Sequence, residues 1–364
     1  MEVKRLGIIG TGLIGASVGL AAKRAGAEYV AGYDFSDEAT QAAQARGAID
    51  DPCIQPEEFL DEVDLVVVAV PAIALQNSLK TLLEDDWNLT AADVGSTEAN
   101  ICAAISDPRF VGGHPVTGSD AQGPEHATAD LFEGATWFLT PSAESDPTRY
   151  RLVHGFVSAL GAVPVAIDPE AHDRLVALTS HLPHALANLL VNQAGSTRIE
   201  GHEPLAAAAG SLREMTRVAG ANARIWVDIF VDNAAPLQAS LAEHRRRVEQ
   251  LEAALASGDA GFLARWIGEA AGNRRRMLVD AYPAPGELHQ LRVHVPDRPG
   301  VLAGITQALG AERINIEDFE LHHVSPERGG TLTLLLGGEP EATRAAGILE
   351  AQGYGVVVSP VLAE

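Results

Sequence analysis

The chain has 364 residues, with 26 Lys and Arg against 49 Asp and Glu, a formal net charge of −23. That balance argues against nucleic acid and anionic membrane surfaces as partners, and any anionic ligand has to be gathered by a local group of arginines. No apolar run of ~18 residues and no basic-then-apolar leader occurs, which points to a soluble, cytoplasmic protein; Cys53 and Cys102 lie in unrelated segments, so free thiols and no metal site are expected.

The length suits two or three domains. Residues 1–167 alternate apolar runs with helix-like stretches: "RLGIIG" at 5–10, "YVAGYD" at 29–34, "DLVVVAV" at 64–70, "AADVGS" at 91–96 and "AVPVAID" at 162–168. Continuous β-branched runs separated by amphipathic segments predict buried parallel strands with crossover helices, a doubly wound α/β domain of Rossmann type. "GTGLIG" at 10–15 follows the first strand and opens a helix. Gly10 permits the tight turn, Gly12 lets the backbone approach a pyrophosphate and Gly15 lets the helix pack on the strand. Asp34 ends the second strand, where its carboxylate can take the adenosine ribose hydroxyls. Phe35, Ser36 and Asp37 come next, with no nearby Arg or Lys to neutralise a 2′-phosphate, so NAD is expected rather than NADP. The expected cofactor set is Gly10, Gly12, Leu13, Ile14, Gly15, Asp34, Val70, Pro71 and Ser96, the last in "DVGSTE" at the carboxyl end of a strand.

"FVGGHPVTGSD" at 110–120 reads as a small stiff loop that holds His114 between a pair of glycines and a proline. From Asp168 the pattern turns helical, with a capping Asp and Pro169 at the first helical position, and continues to about Tyr282. Residues 168–283 are therefore expected to form an all-helical substrate and dimerisation domain. "SHLPH" sets Ser180 and His184 four residues apart on one helix face, with Pro183 between them. "LREMTRVAGANARIW" supplies Arg213, Arg217 and Arg224 to an acidic protein. Leu237, Leu241, His244, Val248, Leu251 and Leu255 form one stripe, which faces either the core or a second subunit. "YPAPGE" at 282–287 reads as a linker. Residues 287–364 then run strand, helix, strand, strand, helix, strand, the ferredoxin-like βαββαβ plan, as a third domain.

A nucleotide site beside two imidazoles, hydroxyls and guanidinium groups suits dehydrogenation of a hydroxylated carboxylate. At these residues the chain resembles the prephenate/arogenate dehydrogenases of tyrosine biosynthesis. The likeness runs through "IIGTGLIGASVGLA", "DVGSTE", "RFVGGHPVTGSDAQGPEHATADLFEGATWFLTP", "SHLPH" and "MTRVA…IWVDIFVDN", in order, over about residues 5–280. "VPDRPGVLAGIT" at 295–306 resembles an ACT domain. Two departures stand out: Glu98 where the family often has Lys, and Val116-Thr117 where it often has Met-Ala.

The resemblance implies NAD-dependent oxidative decarboxylation of prephenate to 4-hydroxyphenylpyruvate. In it His114 accepts the hydrogen bond of the ring hydroxyl and Ser96 orients His114 or the nicotinamide. Arg217 binds a substrate carboxylate, Ser180 and His184 contact the other polar end, and Trp226 closes the pocket. It further implies a homodimer, and allosteric binding of tyrosine or another aromatic amino acid by the tail, at Asp297, Pro299, Gly300, Val301 and Leu302. Arogenate is the alternative substrate. β-Hydroxyacid dehydrogenases, which use a helix-borne lysine, are disfavoured because no lysine follows Lys80. A non-catalytic amino-acid sensor is the remote alternative.

Overall fold

The computed structural model describes residues 2–117, 121–281, 288–325 and 329–361. The end of the His114 stretch at 118–120, the linker at 282–287 and the middle of the turn at 326–328 lie outside the described residues. The chain divides into two compact units, Met1–Arg245 and Arg246–Glu364.

The first unit is built on an eight-stranded sheet. Its elements are β1 (Arg5–Ile9), α1 (Leu13–Arg24), β2 (Tyr29–Tyr33), α2 (Asp37–Ala45), β3 (Asp51–Cys53), β4 (Leu65–Val68), α3 (Ala72–Glu84), β5 (Thr90–Asp93), α4 (Ala99–Ala104), β6 (Phe110–Pro115), β7 (Thr136–Thr140), α5 (Pro147–Ala159) and β8 (Val163–Ala166). The strand order is β3-β2-β1-β4-β5-β6-β7-β8. Because successive strand residues point to opposite faces, Leu6, Ile8, Leu65 and Val67 pack with α1 and α5, while Ile9, Val66 and Val68 pack with α3. Leu75 and Leu79 on α3 are essentially inaccessible, each worth ~1.5–3 kcal/mol of apolar burial.

Two expectations change. Strands β1 to β6 are parallel, but β7 pairs antiparallel with β6, and β8 runs parallel to β7. A parallel partner would need a helical crossover, and among the described residues the β6–β7 connection carries only the short 3-10 turn Pro124–His126. The His114 stretch is also no loop at its start: Phe110–Pro115 is strand β6, with His114 paired to Phe138.

Helices follow: α6 (Pro169–Val176), a π-helical segment Ala177–His181, α7 (Leu182–Ser196), α8 (Gly210–Met215), the 3-10 turn Arg217–Gly220, α9 (Ala223–Asp232), and α10 (Ala234–Ser257), in which the division between units falls. The Asp168 carboxylate caps α6 at the Ala171 amide, 2.9 Å away, and Pro169 opens the helix as its fixed φ allows.

The second unit contains the rest of α10, α11 (Ala260–Ala281), and β9 (Leu288–Val295), α12 (Val301–Ala311), β10 (Asp318–Ser325), β11 (Gly329–Gly337), α13 (Glu339–Ala351) and β12 (Gly355–Pro360). The four strands form an antiparallel sheet in the order β10-β11-β9-β12. Its core joins Leu291, Val293, Leu332 and Leu334 to Ile305, Leu309 and Leu349, the βαββαβ plan.

Candidate active site

The glycine turn lies between β1 and α1. Gly10 has φ +95°, in the region that favours glycine, and a side chain there would overlap the Ala69 carbonyl oxygen. A Cβ on Gly15 would overlap the Gly10 carbonyl oxygen, whereas one on Gly12 would meet nothing within 4 Å. Gly12 caps α1 with no side-chain hydrogen bond, and no acidic residue stands in the first turn. The start of α1 thus has open space beside Gly12 and no side chain capping its first amides, as an incoming pyrophosphate requires. Asp34 holds the turn by accepting from Thr11 N at 2.7 Å and Ser36 N at 2.9 Å, and its remaining lone pairs can serve a ribose. Leu13 and Ile14 begin α1, and Val70 and Pro71 lead into α3 from the end of β4.

Beneath the neighbouring strand ends lie two buried carboxyls. Asp93 accepts from Gly95 N at 2.9 Å and Gly113 N at 3.0 Å, which fixes β6 beside β5. Burial pushes its pKa up to about 7. Glu98, which the sequence left without a role, is fully buried and accepts from Thr140 Oγ1 at 2.6 Å. Burial, and then the Asp93 carboxyl, drive its pKa well above the ordinary range. Its Oε1 has no hydrogen-bond partner among the described residues. Glu98 is thus held toward its protonated form, and it packs under β6 with Thr140. A side chain at Gly112 would overlap Thr140 Oγ1, so this glycine lets the strands and Glu98 pack together.

His114 lies next to the last residue of β6 and is only partly accessible. Burial lowers its pKa to about 3, with the His172 and His181 imidazoles acting in the same direction and the Asp173 carboxylate opposing. His114 is thus neutral far below the ordinary range of imidazole. Its Nδ1 lies 2.9 Å from Nε2 of His172, whose Nδ1 lies 2.9 Å from Asp173 Oδ1. Asp173 also accepts from Glu98 N at 2.8 Å and Ala99 N at 3.0 Å. Ser96, expected to orient His114, makes no hydrogen bond to it among the described residues.

A second group continues from Asp173. Asn233 Nδ2 donates to the Asp173 carbonyl at 2.9 Å and to His181 Nδ1 at 3.0 Å. Burial lowers the pKa of His181 to about 4. His181 meets the Trp226 ring edge-on at 6.0 Å, and His184 stacks on Trp226 with centroids 3.4 Å apart. The chain His114–His172–Asp173–Asn233–His181–Trp226–His184 is therefore continuous. Loop and helix are tied again where Thr97 Oγ1 donates to the Asp232 carboxylate and Asn100 Nδ2 donates to Asp232 Oδ1 at 2.9 Å.

Ser180 lies in the π segment, partly buried, and among the described residues it makes no hydrogen bond to the chain of rings. Arg217 is exposed at the start of its 3-10 turn, and Arg213 and Arg224 are exposed too. A cavity of about 530 Å³ is lined by Asp173, Arg174 and Pro236 among others, but by none of the rings. In the second unit Asp297, Pro299 and Gly300 are exposed, Gly300 has φ +89° and leads α12, and Val301 is buried in the core, so only its backbone can face a ligand.

A nucleotide-binding sheet whose carboxyl edge carries a neutral, densely packed imidazole suits hydride chemistry, and the class it defines is that of oxidoreductases. Comparison with protein families is more specific. Residues 18–166 match the prephenate dehydrogenase nucleotide-binding domain, residues 168–269 the prephenate dehydrogenase dimerization domain, and residues 289–353 the ACT domain. The chain is 31% identical to the prephenate dehydrogenase of Bacillus subtilis (strain 168), over 95% of each chain. It is similar to the structure of prephenate dehydrogenase from A. aeolicus in complex with hydroxyphenyl propionate and NAD+, with 26% identity and a TM-score of 0.72 over 76% of this chain and 99% of that one. It is also similar to Synechocystis arogenate dehydrogenase, with 25% identity and a TM-score of 0.68 over 75% and 99% of the two chains. The chain belongs to the prephenate dehydrogenase family.

Proposed function

We propose that the protein catalyses NAD-dependent oxidative decarboxylation of prephenate to 4-hydroxyphenylpyruvate, with His114 as the acceptor of the ring hydroxyl's hydrogen bond. The observation that carries this reading is the neutral His114 imidazole, held at the carboxyl end of β6 with Nδ1 engaged and Nε2 left to the substrate. NAD, when bound, supplies the acceptor for the hydride that leaves C4. The residues that would hold it are Gly10, Gly12, Gly15 and the first amides of α1, with Asp34 at the ribose; their fit rests on the open space at Gly12.

The protein's own tasks are to orient the substrate and to weaken the hold on the hydroxyl proton. Loss of carbon dioxide makes the ring aromatic and supplies much of the drive. An imidazole with its pKa near 3 accepts a hydrogen bond, and carboxylates brought into the site with the substrate raise its basicity as the proton moves. Arg217 is assigned to a substrate carboxylate, since it is exposed and has no ion pair among the described residues. His184, set by its stack on Trp226, and Ser180 are assigned to the other polar end.

The exposed apolar residues Val231 on α9 and Val248 and Leu255 on α10 support assembly as a homodimer. The exposed Asp297–Gly300 turn supports an aromatic amino acid, tyrosine first, as regulator.

The test is His114→Asn, with NADH absorbance followed on prephenate and, separately, on arogenate. Turnover is expected to fall ~10²–10⁴-fold with KM nearly unchanged. Wild-type turnover in the variant would remove His114 from the reaction. Turnover confined to arogenate in the unmodified protein would reassign the substrate.

A further inference from the structure

His172 and Asp173 serve no role in the reaction as described so far, yet they are among the few buried polar residues, at 0% and 3% exposure. They sit on the face of α6 that continues into Val176 and Ala177, a face that a helical pattern would fill with apolar side chains. The Phe138 ring from β7 covers the His172 ring at 5.3 Å. Such a pair is retained in a core only with its hydrogen bonds made, and here they are made in one direction.

The direction follows from donor counting. Asp173 as a carboxylate can only accept, and it already accepts from Glu98 N and Ala99 N. The 2.9 Å contact with His172 Nδ1 therefore has the imidazole N–H as donor. A neutral His172 then presents a lone pair at Nε2. The 2.9 Å contact between that atom and His114 Nδ1 requires His114 to carry its proton on Nδ1. The lone pair of His114 is left on Nε2, the nitrogen away from His172.

We propose that His172 and Asp173 are positioning residues that fix the tautomer and ring orientation of His114, so that Nε2 alone faces the substrate as acceptor. The proposal rests on the reading of His114 as the hydroxyl's acceptor. When Nε2 takes the proton, the new imidazolium has the His172 lone pair against its Nδ1–H and the Asp173 carboxylate one ring further on. The logic is that of a base oriented by a third group, reached here through a second imidazole. Asp173 cannot swing away, because two backbone amides at the start of α4 hold its oxygens.

The test pairs two substitutions with a direct reading of the tautomer. His172→Leu removes the acceptor for His114 Nδ1–H, whereas the carbonyl of His172→Gln can still supply one. Expected is a fall in kcat of ~10²-fold or more for His172→Leu with KM within about threefold, and recovery to within about tenfold of wild type for His172→Gln. In ¹⁵N-histidine NMR of the full chain, with His114 assigned through His114→Asn, Nδ1 should be protonated and Nε2 not.

A protonated Nε2 would overturn the proposal whether or not the variants fold. So would wild-type kcat in folded His172→Leu, or an equal loss in both folded variants, which would mean that packing alone is at stake. Wild-type turnover in His114→Asn would instead overturn the underlying reading of His114. A dead His114→Asn beside a fully active His172→Leu would sink this inference only.

Discussion

Gly12→Ala and Gly15→Ala separate what the glycine turn does for the fold from what it does for the cofactor. At Gly12 the backbone is at φ −67° and ψ −162°, which alanine adopts freely, and its methyl would meet no protein atom within 4 Å. An alanine cap costs ~0.5–1 kcal/mol against glycine, and the smaller entropy of the unfolded chain offsets ~0.4–1 kcal/mol, so the melting temperature should move by no more than about 2 °C. The methyl instead stands where the pyrophosphate would pass. Overpacking of ~1–3 kcal/mol there predicts a Kd for NAD raised ~5–150-fold. At Gly15 the methyl would overlap the Gly10 carbonyl oxygen and lie 3.0 Å from Ile8 Cγ2, so the same energy falls on the folded state. At ~2–4 °C per kcal/mol, Tm should drop by ~2–12 °C. Calorimetric titration with NAD and thermal melts on both variants measure the two effects. A Gly12→Ala protein that binds NAD as tightly as wild type would refute the placement of the cofactor against this turn.

Arg217→Ala should raise KM for prephenate at least ~10-fold with kcat little changed, because it removes a charge that acts on binding; an unaltered KM in steady-state kinetics would count against its role. The buried Asp93 carboxyl, with its pKa pushed up to about 7 from an unfolded value of 3.8, keeps its proton where the unfolded chain loses it. Its contribution is fully present below pH 3.8 and is lost as pH rises toward 7, so wild type should gain stability over Asp93→Asn between pH 8 and pH 5 in denaturant titrations; a constant difference would refute a raised carboxyl. His114 and His181 run the other way: they refuse protons that the unfolded chain takes near 6.5, so their share of stability falls as pH drops from there toward 4. Asp297→Ala should weaken inhibition by tyrosine ~10-fold or more while leaving uninhibited turnover intact, and unchanged inhibition in activity assays would move the effector elsewhere.

The parts of the molecule written in local sequence were legible before the structure. The glycine turn, Asp34 at the end of β2 and the Asp168 cap of α6 each depend on a few neighbouring residues, and each stands where the spacing puts it. The βαββαβ order of the tail was legible for the same reason. What was hidden depends on distant partners. Gly112-Gly113-His114-Pro115 has the composition of a turn, yet it pairs as a strand because β7 and the Asp93 carboxyl supply hydrogen bonds from outside the segment. His172 and Asp173 lie in an amphipathic helix and read as its ordinary polar residues, since the partner that gives them meaning is His114, 58 residues away. The signal that could have marked them was there: both fall on the apolar side of α6, where uncompensated polar groups are rare.

The π segment at Ala177–His181 places five residues where the backbone closes a wider turn than the helices on either side. Such a turn amounts to one residue inserted into an otherwise regular helix. Removing a single residue there would let α6 run straight into α7 and rotate everything after it by about 100°. His184 would leave the face of Trp226 without any change in its own codon or in those of its neighbours. The ring geometry on this side of the site is thus set by the length of a helix as much as by the residues on it, and it could be gained or lost in one step by insertion or deletion where no substitution would serve.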